Sequence, residues 1–337
     1  GAEEKFNVAS YLEKENIALK NQTAAREIKH TREFIPGFSS GDRTRTFLKV
    51  QDGCNYFCAF CTIPLARGRS RSASIEKTLP IAREAAEAGA KEVVLTGVNI
   101  GDFGHSTDEN LLALIRELDK IDGIERYRIS SIEPNLLAND IIDFVASGNK
   151  FVPHFHIPLQ SGSDRILTAM RRRYRTELYR ERIERIKTQM PNACIGVDVI
   201  VGFPGETEEE FMETYDFLHS LDVSYLHVFT YSERPNTTAV RLGDVVPLNV
   251  RQERNKKLRI LSHKKKKAFY QSQIGRSAEV LFEAEENSGW MNGFTENYVK
   301  VKLPYDENLV NKICAVELTS IDRDGLVKTV LKAPEYV

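Results

Sequence analysis

Three of the chain's five cysteines lie within eight residues, and their spacing constrains the protein more than any other feature of its sequence. Cys54, Cys58 and Cys61 follow the pattern C-x3-C-x2-C directly after an apolar segment, residues 46–50, that is predicted to be a β-strand. Three thiolates on one loop can each bind one iron of a [4Fe–4S] cluster and leave the fourth iron without a protein ligand. An open coordination position is typical of a catalytic metal site.

Such an iron could chelate the amino and carboxylate groups of S-adenosylmethionine, and an electron from the cluster would then cleave the sulfonium to a 5′-deoxyadenosyl radical. The alternative is a structural zinc site, which normally has four ligands and paired cysteines. His105 or His154 could complete it, but no second cysteine pair is nearby and the strand-end position favours the cluster. Cys194 and Cys314 stand alone and are interpreted as small buried hydrophobic residues.

Length and composition bound the remaining possibilities. A chain of 337 residues exceeds one usual hydrophobic core, so two domains are expected. The odd, clustered cysteines argue against a disulfide scaffold and favour a reducing compartment. The sequence has no apolar run of eighteen residues and no signal-like N-terminus, which predicts a cytoplasmic protein without a membrane partner. The net charge of −1 gives no indication of nucleic acid by itself.

The central part of the chain alternates between strands and helices. Strands are predicted at residues 46–50, 92–96, 128–131, 155–159, 194–201 and 225–231, and helices at 78–88, 110–120, 140–147, 164–170, 177–189 and 208–221. This alternation predicts a parallel sheet with right-handed crossovers. A full barrel has eight such units, so the predicted fold class is α/β, a partial (βα)6 TIM-like barrel that binds ligands at the C-terminal ends of its strands.

The domain boundaries follow from changes in this pattern. Residues 1–43 are interpreted as a lead-in, residues 44–247 as the α/β core and residues 248–273 as one long connecting helix. Beyond it, strands are predicted at 278–284, 298–303, 313–320 and 326–331, so residues 274–337 should form a small all-β barrel.

Several motifs together resemble one known family. A C-x3-C-x2-C pattern with an aromatic residue before the third cysteine, here Phe60, is the signature of the radical S-adenosylmethionine superfamily. Longer strings are similar to its methylthiotransferases, and among these to the branch that acts on threonylcarbamoyladenosine in tRNA. The strings are DGCNYFCAFCTIP (52–64), ARGRSRS (66–72), TGVNIG (96–101), SSIEP (130–134), HIPLQSG (156–162) and GFPGET (202–207).

The resemblance implies that S-adenosylmethionine lies across the strand ends. In the family, the residue at the position of Phe60 lies against the adenine, and the stretch with Gly97 and Asn99 meets the methionyl amino group. Taken alone, Gly97 could belong to an ordinary turn, and Ser131 could cap the next helix. The predicted cofactor contacts are Phe60, Gly97, Asn99, Ser131, Glu133, Gln160, Asp198, Ile200 and Phe229. No catalytic residue beyond the cluster and S-adenosylmethionine is predicted.

Basic residues cluster along the chain despite its near-zero net charge, which is typical of a phosphate-binding surface. The C-terminal barrel resembles the TRAM domain, an RNA-binding module, and its aromatic residues could stack on unpaired bases or simply fill a small core. The residues predicted to contact RNA are Arg67, Arg69, Arg71, Arg171, Arg172, Lys264, Lys265, Phe294 and Tyr298.

The resemblance implies methylthiolation of carbon 2 of N6-threonylcarbamoyladenosine, with the tRNA anticodon stem-loop and a reducing electron donor as partners. The family also has an N-terminal domain whose three cysteines hold an auxiliary [4Fe–4S] cluster; this sequence lacks those cysteines, so a truncated chain is expected. The alternatives are isopentenyladenosine tRNA or a ribosomal-protein aspartate as substrate, and a non-catalytic metal-containing RNA-binding protein.

Overall fold

The computed structural model describes residues 31, 33–39, 44–105 and 107–332. Nearly all of the predicted lead-in, residues 1–43, therefore lies outside the described residues. None of the helices within the described ranges combines the length and the apolar character that a membrane span requires.

Six parallel strands form one curved and open sheet. The strands of this part are β1 (Gly37–Phe38), β2 (Arg45–Lys49), β3 (Gln51–Asp52), β4 (Arg71–Ser72), β5 (Glu92–Thr96), β6 (Arg126–Ile129), β7 (His154–His156), β8 (Cys194–Val201) and β9 (Tyr225–Thr230). The parallel pairs are β2–β5–β6 and β7–β8–β9, and single bridges from Tyr127 to Phe151 and from Ser131 to His156 join the two groups. The strand order β2-β5-β6-β7-β8-β9 is that of a partial barrel, as predicted.

Helices cover the outer face of this sheet. They are α1 (Ile63–Arg67), α2 (Ile75–Glu87), α3 (Leu111–Leu118), α4 (Asn139–Ala146), α5 (Asp164–Ala169), α6 (Thr176–Gln189), α7 (Glu208–Ser220) and α8 (Leu248–Gln273). The start of α7 is fixed by a capping box, in which Thr207 Oγ1 accepts from the amide of Glu210 at 3.3 Å and the Glu210 carboxylate accepts from the amide of Thr207 at 2.9 Å. Fully buried side chains such as Leu95, Ile115 and Val197 fill the layer between strands and helices.

In the α/β core, two strand predictions differ from the structure by two residues or more at one or both ends. β6 begins at Arg126 rather than at residue 128, because Arg126 and Arg128 are both buried and paired, although arginine usually marks the surface. β7 begins at His154 and ends at His156, and the chain beyond it continues along the sheet through a single bridge between Gln160 and Val199.

The C-terminal part is a closed five-stranded barrel. Its strands are β10 (Ser277–Asn287), β11 (Trp290–Thr295), β12 (Lys300–Pro304), β13 (Ile313–Ile321) and β14 (Val327–Leu331), in the order β10-β11-β12-β14-β13. The sequence predicted four strands and missed β11, whose Asn292 and Gly293 are poor strand formers. Gly293 is required there, since a Cβ atom would lie 2.4 Å from Val280 Cγ1.

Buried ion pairs attach this barrel to the N-terminal ends of the parallel strands. Glu92 accepts from Arg126 Nε at 2.6 Å and from Arg128 Nε at 3.1 Å. Arg126 also donates to the carbonyl oxygens of Glu279 at 3.2 Å and Phe294 at 3.0 Å in the C-terminal barrel. Burial alone would raise the pKa of Glu92, but Arg128 and Arg126 hold it at about 2. The N-terminal end of the partial barrel is therefore closed by charged groups that satisfy one another.

Aromatic rings continue this closure and correct one prediction. The Tyr298 ring stacks on His154 with centroids 4.2 Å apart and on Phe294 at 4.7 Å. The Arg128 guanidinium lies 4.9 Å from the centroid of Tyr298, and that of Arg45 lies 4.5 Å from the centroid of Phe294. Both half-buried rings thus pack between the two barrels, which argues against the predicted stacking of Phe294 and Tyr298 on RNA bases.

Candidate active site

The three cysteines lie on the loop between β3 and α1, at the C-terminal end of the sheet. Cys58 is buried, and Cys54 and Cys61 are half-buried. Each sulfur accepts one N–H group: Cys54 from the Tyr56 amide at 3.3 Å, Cys61 from the Ile63 amide at 3.4 Å, and Cys58 from Arg172 Nη1 at 3.1 Å. Three sulfurs with separate N–H donors suit thiolate ligands of an iron–sulfur cluster.

A structural zinc ion at this loop would need a fourth ligand beside the three cysteines. Among the described residues, the ligand atoms close enough to share one ion are those of His156, Asp198 and His227, and this group includes none of the cysteines. The described part of the chain therefore shows no histidine or carboxylate that completes a zinc site at the triad.

The thiols are held in a poorly hydrated environment. Burial raises the pKa of Cys54 to about 12, and burial also raises the pKa of Cys58 and Cys61. Metal ligation requires the thiolates, so cluster assembly at this loop must release protons.

A carboxylate immediately before the first cysteine fixes the loop. Asp52 accepts from Arg67 Nη2 at 2.8 Å and from Arg71 Nη2 at 3.0 Å, and Lys49 Nζ lies 3.0 Å from it. Burial would raise the pKa of Asp52, but hydrogen bonds from Lys49 and Arg67 lower it to about 2. Arg71 is 5% exposed and also donates to three backbone carbonyls. Both guanidiniums hold the cysteine loop. The burial of Arg71 contradicts its predicted contact with RNA, whereas the Arg67 side chain is 36% exposed and its contact with RNA stays a prediction.

Gly53 allows the loop to pass close to its own return segment. Its φ of 72° is in the left-handed region, and a Cβ atom would lie 2.0 Å from the carbonyl oxygen of Arg69. The next residue, Cys54, donates its amide to the carbonyl of Gly68 at 3.1 Å. A residue larger than glycine would push the first cysteine out of place.

Gln51 links the cysteine loop to the next strand end, and sequence analysis missed it. Its Nε2 donates to the carbonyl of Gly53 at 2.8 Å and to Ser70 Oγ at 2.9 Å. Its Oε1 accepts from the amides of Val98 at 2.9 Å and Asn99 at 2.8 Å. A polar residue within an apolar stretch just before the cysteines was the signal that could have identified it.

Asn99 presents an unsatisfied amide at this end. The residue is 4% exposed, and within the described part of the chain neither its Oδ1 nor its Nδ2 makes a hydrogen bond of good geometry, although its side chain is near enough to Asp102 to act on the pKa of that carboxyl. A ligand with matching donors and acceptors would satisfy this buried amide. Gly97, two residues earlier, lets this loop lie close to Gln51, since a Cβ atom at Gly97 would be 2.9 Å from Gln51 Oε1.

Arg172 connects three elements beneath the cysteine loop. Besides Cys58, its guanidinium donates to the Glu133 carboxylate and, at 3.0 Å, to Tyr174 Oη. Tyr174 Oη in turn lies 2.7 Å from the carbonyl oxygen of Leu159. Arg172 is 7% exposed, so its predicted contact with RNA was wrong. The pairing places Glu133 next to the cysteines, where the sequence predicted a cofactor contact.

The remaining predicted cofactor residues lie on the strands of the partial barrel or on the segments that follow them. Phe60 packs beside Ala59 and Phe203 in a small apolar cluster. Gln160 has a φ of 71°, which turns the chain at the end of the fourth parallel strand. Asp198 has no arginine partner in the described ranges. Its Oδ1 instead lies 2.9 Å from Nε2 of His156. Ser131, Ile200 and Phe229 all lie at or near strand ends, with Phe229 exposed.

The other predicted RNA contacts divide into two groups. Arg69, Arg171 and Lys264 are exposed, so their charges are available to a partner. Lys265 instead donates to the carbonyl oxygens of His219 at 3.1 Å and Leu221 at 2.7 Å, at the end of α7. Its ammonium group caps a helix, which argues against the predicted contact of Lys265 with RNA.

Comparison with known proteins agrees with this geometry. Residues 48–218 match the Radical SAM superfamily. Threonylcarbamoyladenosine tRNA methylthiotransferase MtaB of Bacillus subtilis is 42% identical over 290 residues, which cover 84% of this chain and 64% of the relative. The protein of the same name from Aquifex aeolicus is 45% identical and covers 77% of this chain and 62% of the relative. The chain spans slightly less than two thirds of the length of these two relatives.

A third relative has a different named product. The tRNA-2-methylthio-N(6)-dimethylallyladenosine synthase of Desulfitobacterium hafniense is 33% identical over 319 residues, covering 94% of this chain and 68% of the relative. Among solved structures, the Escherichia coli coproporphyrinogen III oxidase HemN superposes with a TM-score of 0.50 at 13% identity, covering 81% of this chain and 66% of that one. The methyltransferase TsrM of Kitasatospora setae also gives 0.50, at 17% identity over 57% of this chain and 38% of that one. These two likenesses concern the fold alone.

Proposed function

Since the chain belongs to the radical SAM superfamily and, within it, to the methylthiotransferases, we propose that it carries the radical-generating and RNA-binding part of a tRNA-modifying enzyme. The observation that carries this proposal is the cysteine triad at the strand ends, where each sulfur has its own N–H donor and the unsatisfied Asn99 amide lies on the linked neighbouring loop.

In this proposal Cys54, Cys58 and Cys61 hold a [4Fe–4S] cluster. The residues proposed to hold S-adenosylmethionine are Phe60, Gly97, Asn99, Ser131, Glu133, Gln160, Asp198, Ile200 and Phe229. When bound, the two groups supply reductive cleavage of the sulfonium and a radical that removes a hydrogen atom from the substrate.

The chain's own residues keep this site rigid and exclude water. Gln51 fixes the distance between the cysteine loop and the loop of Asn99, because its amide bonds to both. Asp52 holds Lys49, Arg67 and Arg71 together around the loop by pairing with all three. Arg172 donates to the Cys58 sulfur, and a donor at sulfur favours the thiolate and raises the reduction potential of a bound cluster.

For the substrate we propose N6-threonylcarbamoyladenosine beside the tRNA anticodon, since the two relatives with the higher identities carry that nucleoside in their names. The target base would have to be splayed into the cavity, which is easiest in a single-stranded loop. Arg69, Arg171 and Lys264 are the exposed cations that could contact its phosphates. Such a substrate and a reducing electron donor would place the reaction in the cytoplasm.

Dimethylallyladenosine is the second candidate substrate, because the Desulfitobacterium relative that covers most of this chain is named for that nucleoside. The auxiliary cluster of the family would lie outside this chain: Cys194 is buried in β8 and Cys314 lies in β13, far from the triad in the chain. We therefore propose domains at 44–247, 248–273 and 274–337, with complete methylthiolation requiring a further region.

The test is anaerobic reconstitution of the full chain followed by reduction in the presence of S-adenosylmethionine. We expect about four irons per chain and formation of 5′-deoxyadenosine. The Cys58→Ala variant should lose both, and Cys314→Ala should lose neither. Formation of no 5′-deoxyadenosine by the iron-loaded chain would contradict a radical enzyme, and about eight irons would contradict a single cluster.

The substrate requires a separate assay. The chain, joined to the additional region of a relative, should convert a tRNA that contains threonylcarbamoyladenosine and leave one with isopentenyladenosine unchanged. Mass spectrometry of the nucleosides distinguishes the two products, and preference for isopentenyladenosine would overturn the substrate assignment.

A further inference from the structure

Three side chains on adjacent parallel strands meet inside the partial barrel, away from the cysteines in sequence. His156 is the last residue of β7, Asp198 lies in the middle of β8, and His227 lies in β9 as the register partner of Asp198. One ligand atom from each residue lies within 4.8 Å of the others. His156 Nε2 is 2.9 Å from Asp198 Oδ1.

The position of this group along the barrel is well defined. One side-chain layer nearer the C-terminal ends are Ile200 and Phe229, which pair in the same register between β8 and β9. One layer nearer the N-terminal ends are His154 and Tyr225, hydrogen-bonded at 3.1 Å and covered by the C-terminal barrel. The group thus forms the polar floor of the cavity whose open end carries the cysteine loop.

We propose that His156, Asp198 and His227 bind a divalent transition-metal ion, with zinc or ferrous iron as the chemical class. Two imidazoles and one carboxylate form a ligand set that such ions prefer, and it leaves further coordination positions open. This proposal goes beyond the proposed function, because no step of that function uses these three residues together.

The distances match shared coordination. With metal–ligand bonds of about 2.1 Å, two ligand atoms of one ion lie about 3.0 Å apart at an octahedral angle and about 3.4 Å apart at a tetrahedral angle. The 2.9 Å between His156 Nε2 and Asp198 Oδ1 is a hydrogen bond in the structure, and an ion in place of its proton would need little change in this distance. The rings of His156 and His227 have centroids 5.3 Å apart, and one ligand atom of each lies within 4.8 Å of the other.

The surroundings also favour a cation here. Nothing in the described ranges hydrogen-bonds to the His227 ring, so a nitrogen lone pair remains available to a ligand. The Asp198 carboxylate also contributes to the raised pKa of Glu133, after the burial of Glu133 as the largest cause, so its negative charge reaches beyond its own strand. The three ligands stand on neighbouring strands of one sheet, which hold them more precisely than loops would.

The experiment measures zinc in the reconstituted holoprotein, with the iron–sulfur cluster in place so that the cysteines are occupied. After anaerobic equilibrium dialysis against zinc, we expect about one equivalent per chain. The zinc absorption edge should show nitrogen and oxygen neighbours at about 2.0 to 2.1 Å and no sulfur at about 2.3 Å.

Two variants and one control make the result specific. His227→Asn and Asp198→Asn should each weaken zinc binding at least tenfold, while His219→Asn, an exposed histidine at the end of α7, should bind as the unchanged chain does. Circular dichroism checks that each variant folds. If either variant fails to fold, His156→Asn is used in its place.

Equal zinc binding by His227→Asn and the unchanged chain would overturn the proposal, as would a sulfur neighbour or no binding above that of the variants. These readouts do not depend on cleavage of S-adenosylmethionine or on methylthiolation. Failure of the proposed function would therefore leave this result unaffected, and the reverse also holds.

Discussion

Both ends of the parallel sheet bury polar side chains, but only one end pairs them with one another. At the N-terminal end, Glu92 is paired with two arginines, and the remaining donors of these arginines reach backbone carbonyls of the second barrel. At the C-terminal end, Asn99 is equally buried, yet both of its amide atoms lack a partner in the described part of the chain. Burial alone therefore does not separate a polar residue that stabilises the fold from one that is available to a ligand. The hydrogen-bond partners of the residue do.

The comparison also explains why arginine is a poor indicator of RNA here. Arg71 and Arg172 lie beside the proposed site but are engaged with Asp52 and Glu133. Arg69 and Arg171 are neighbours of these residues in sequence and are exposed. A cation next to the site is available to a substrate only where no carboxylate has been placed against it.

The largest loss of stability is expected when Glu92 is replaced at the N-terminal end of the sheet. Glu92→Gln leaves Arg126 and Arg128 buried without a counter-charge, so the free energy of unfolding should fall by about 3–5 kcal/mol in urea denaturation. The matched control is Glu125→Gln, which removes an exposed pair with Lys91 and should cost less than about 1 kcal/mol. Similar losses in the two variants would show that the buried pairs do not hold the closed end.

Low pH should also reduce the stability that Glu92 contributes at the N-terminal end of the sheet. The pKa of Glu92 is lowered from 4.5 to about 2 in the folded chain, so its contribution is complete above pH 4.5 and is lost as the pH falls towards 2. Between these limits the unchanged chain should lose about 3 kcal/mol more stability than Glu92→Gln does. Parallel pH profiles of the two proteins would contradict a lowered pKa.

A smaller effect is expected from the aromatic residue in the closure. Tyr298→Ala removes the stack on His154 and Phe294, and because the ring is half-buried the loss should be about 2 kcal/mol. At a temperature where the variant remains folded, its affinity for tRNA should stay within twofold of the unchanged chain. A much weaker complex with unchanged stability would restore Tyr298 as an RNA contact.

At the open end the effect should fall on binding rather than on stability. Asn99→Ala removes two polar atoms without partners, so the unfolding free energy should change by less than about 1 kcal/mol. Binding of S-adenosylmethionine to the reconstituted chain should weaken about tenfold, the loss of roughly one hydrogen bond to a charged group. Asn308→Ala, in the C-terminal barrel, is the control, and equal affinities for the two variants would contradict a role for Asn99.

The smallest effect concerns the exposed cations. Arg69→Gln should weaken tRNA binding only about threefold at physiological salt and reduce the slope of log affinity against log salt by about one. Arg116→Gln, on the outer surface of α3, should change neither quantity. An unchanged salt slope for Arg69→Gln would place the RNA elsewhere on the surface.

Sequence patterns predicted the bounds of helices and strands well where neighbouring residues in the chain determine them. β5, β8 and α8 have the predicted bounds, because continuous apolar runs or a long helical pattern specify them. The shifted start of β6 and the misassigned Arg172 have one cause: each arginine is buried by a carboxylate far away in the chain, at Glu92 or Glu133. Likewise, the bonds from Gln51 to Val98 and Asn99 join residues about fifty positions apart, and no spacing rule reveals them.

The attachment of the C-terminal barrel has a consequence for how this protein can be shortened or rearranged. The rings of Phe294 and Tyr298 form the wall that shuts the lower entrance of the α/β chamber. The C-terminal barrel therefore also covers the N-terminal ends of the parallel strands, in addition to any role that it has in binding RNA. Exchange of this barrel between relatives would have to preserve the sealing residues as well as any surface that recognises RNA.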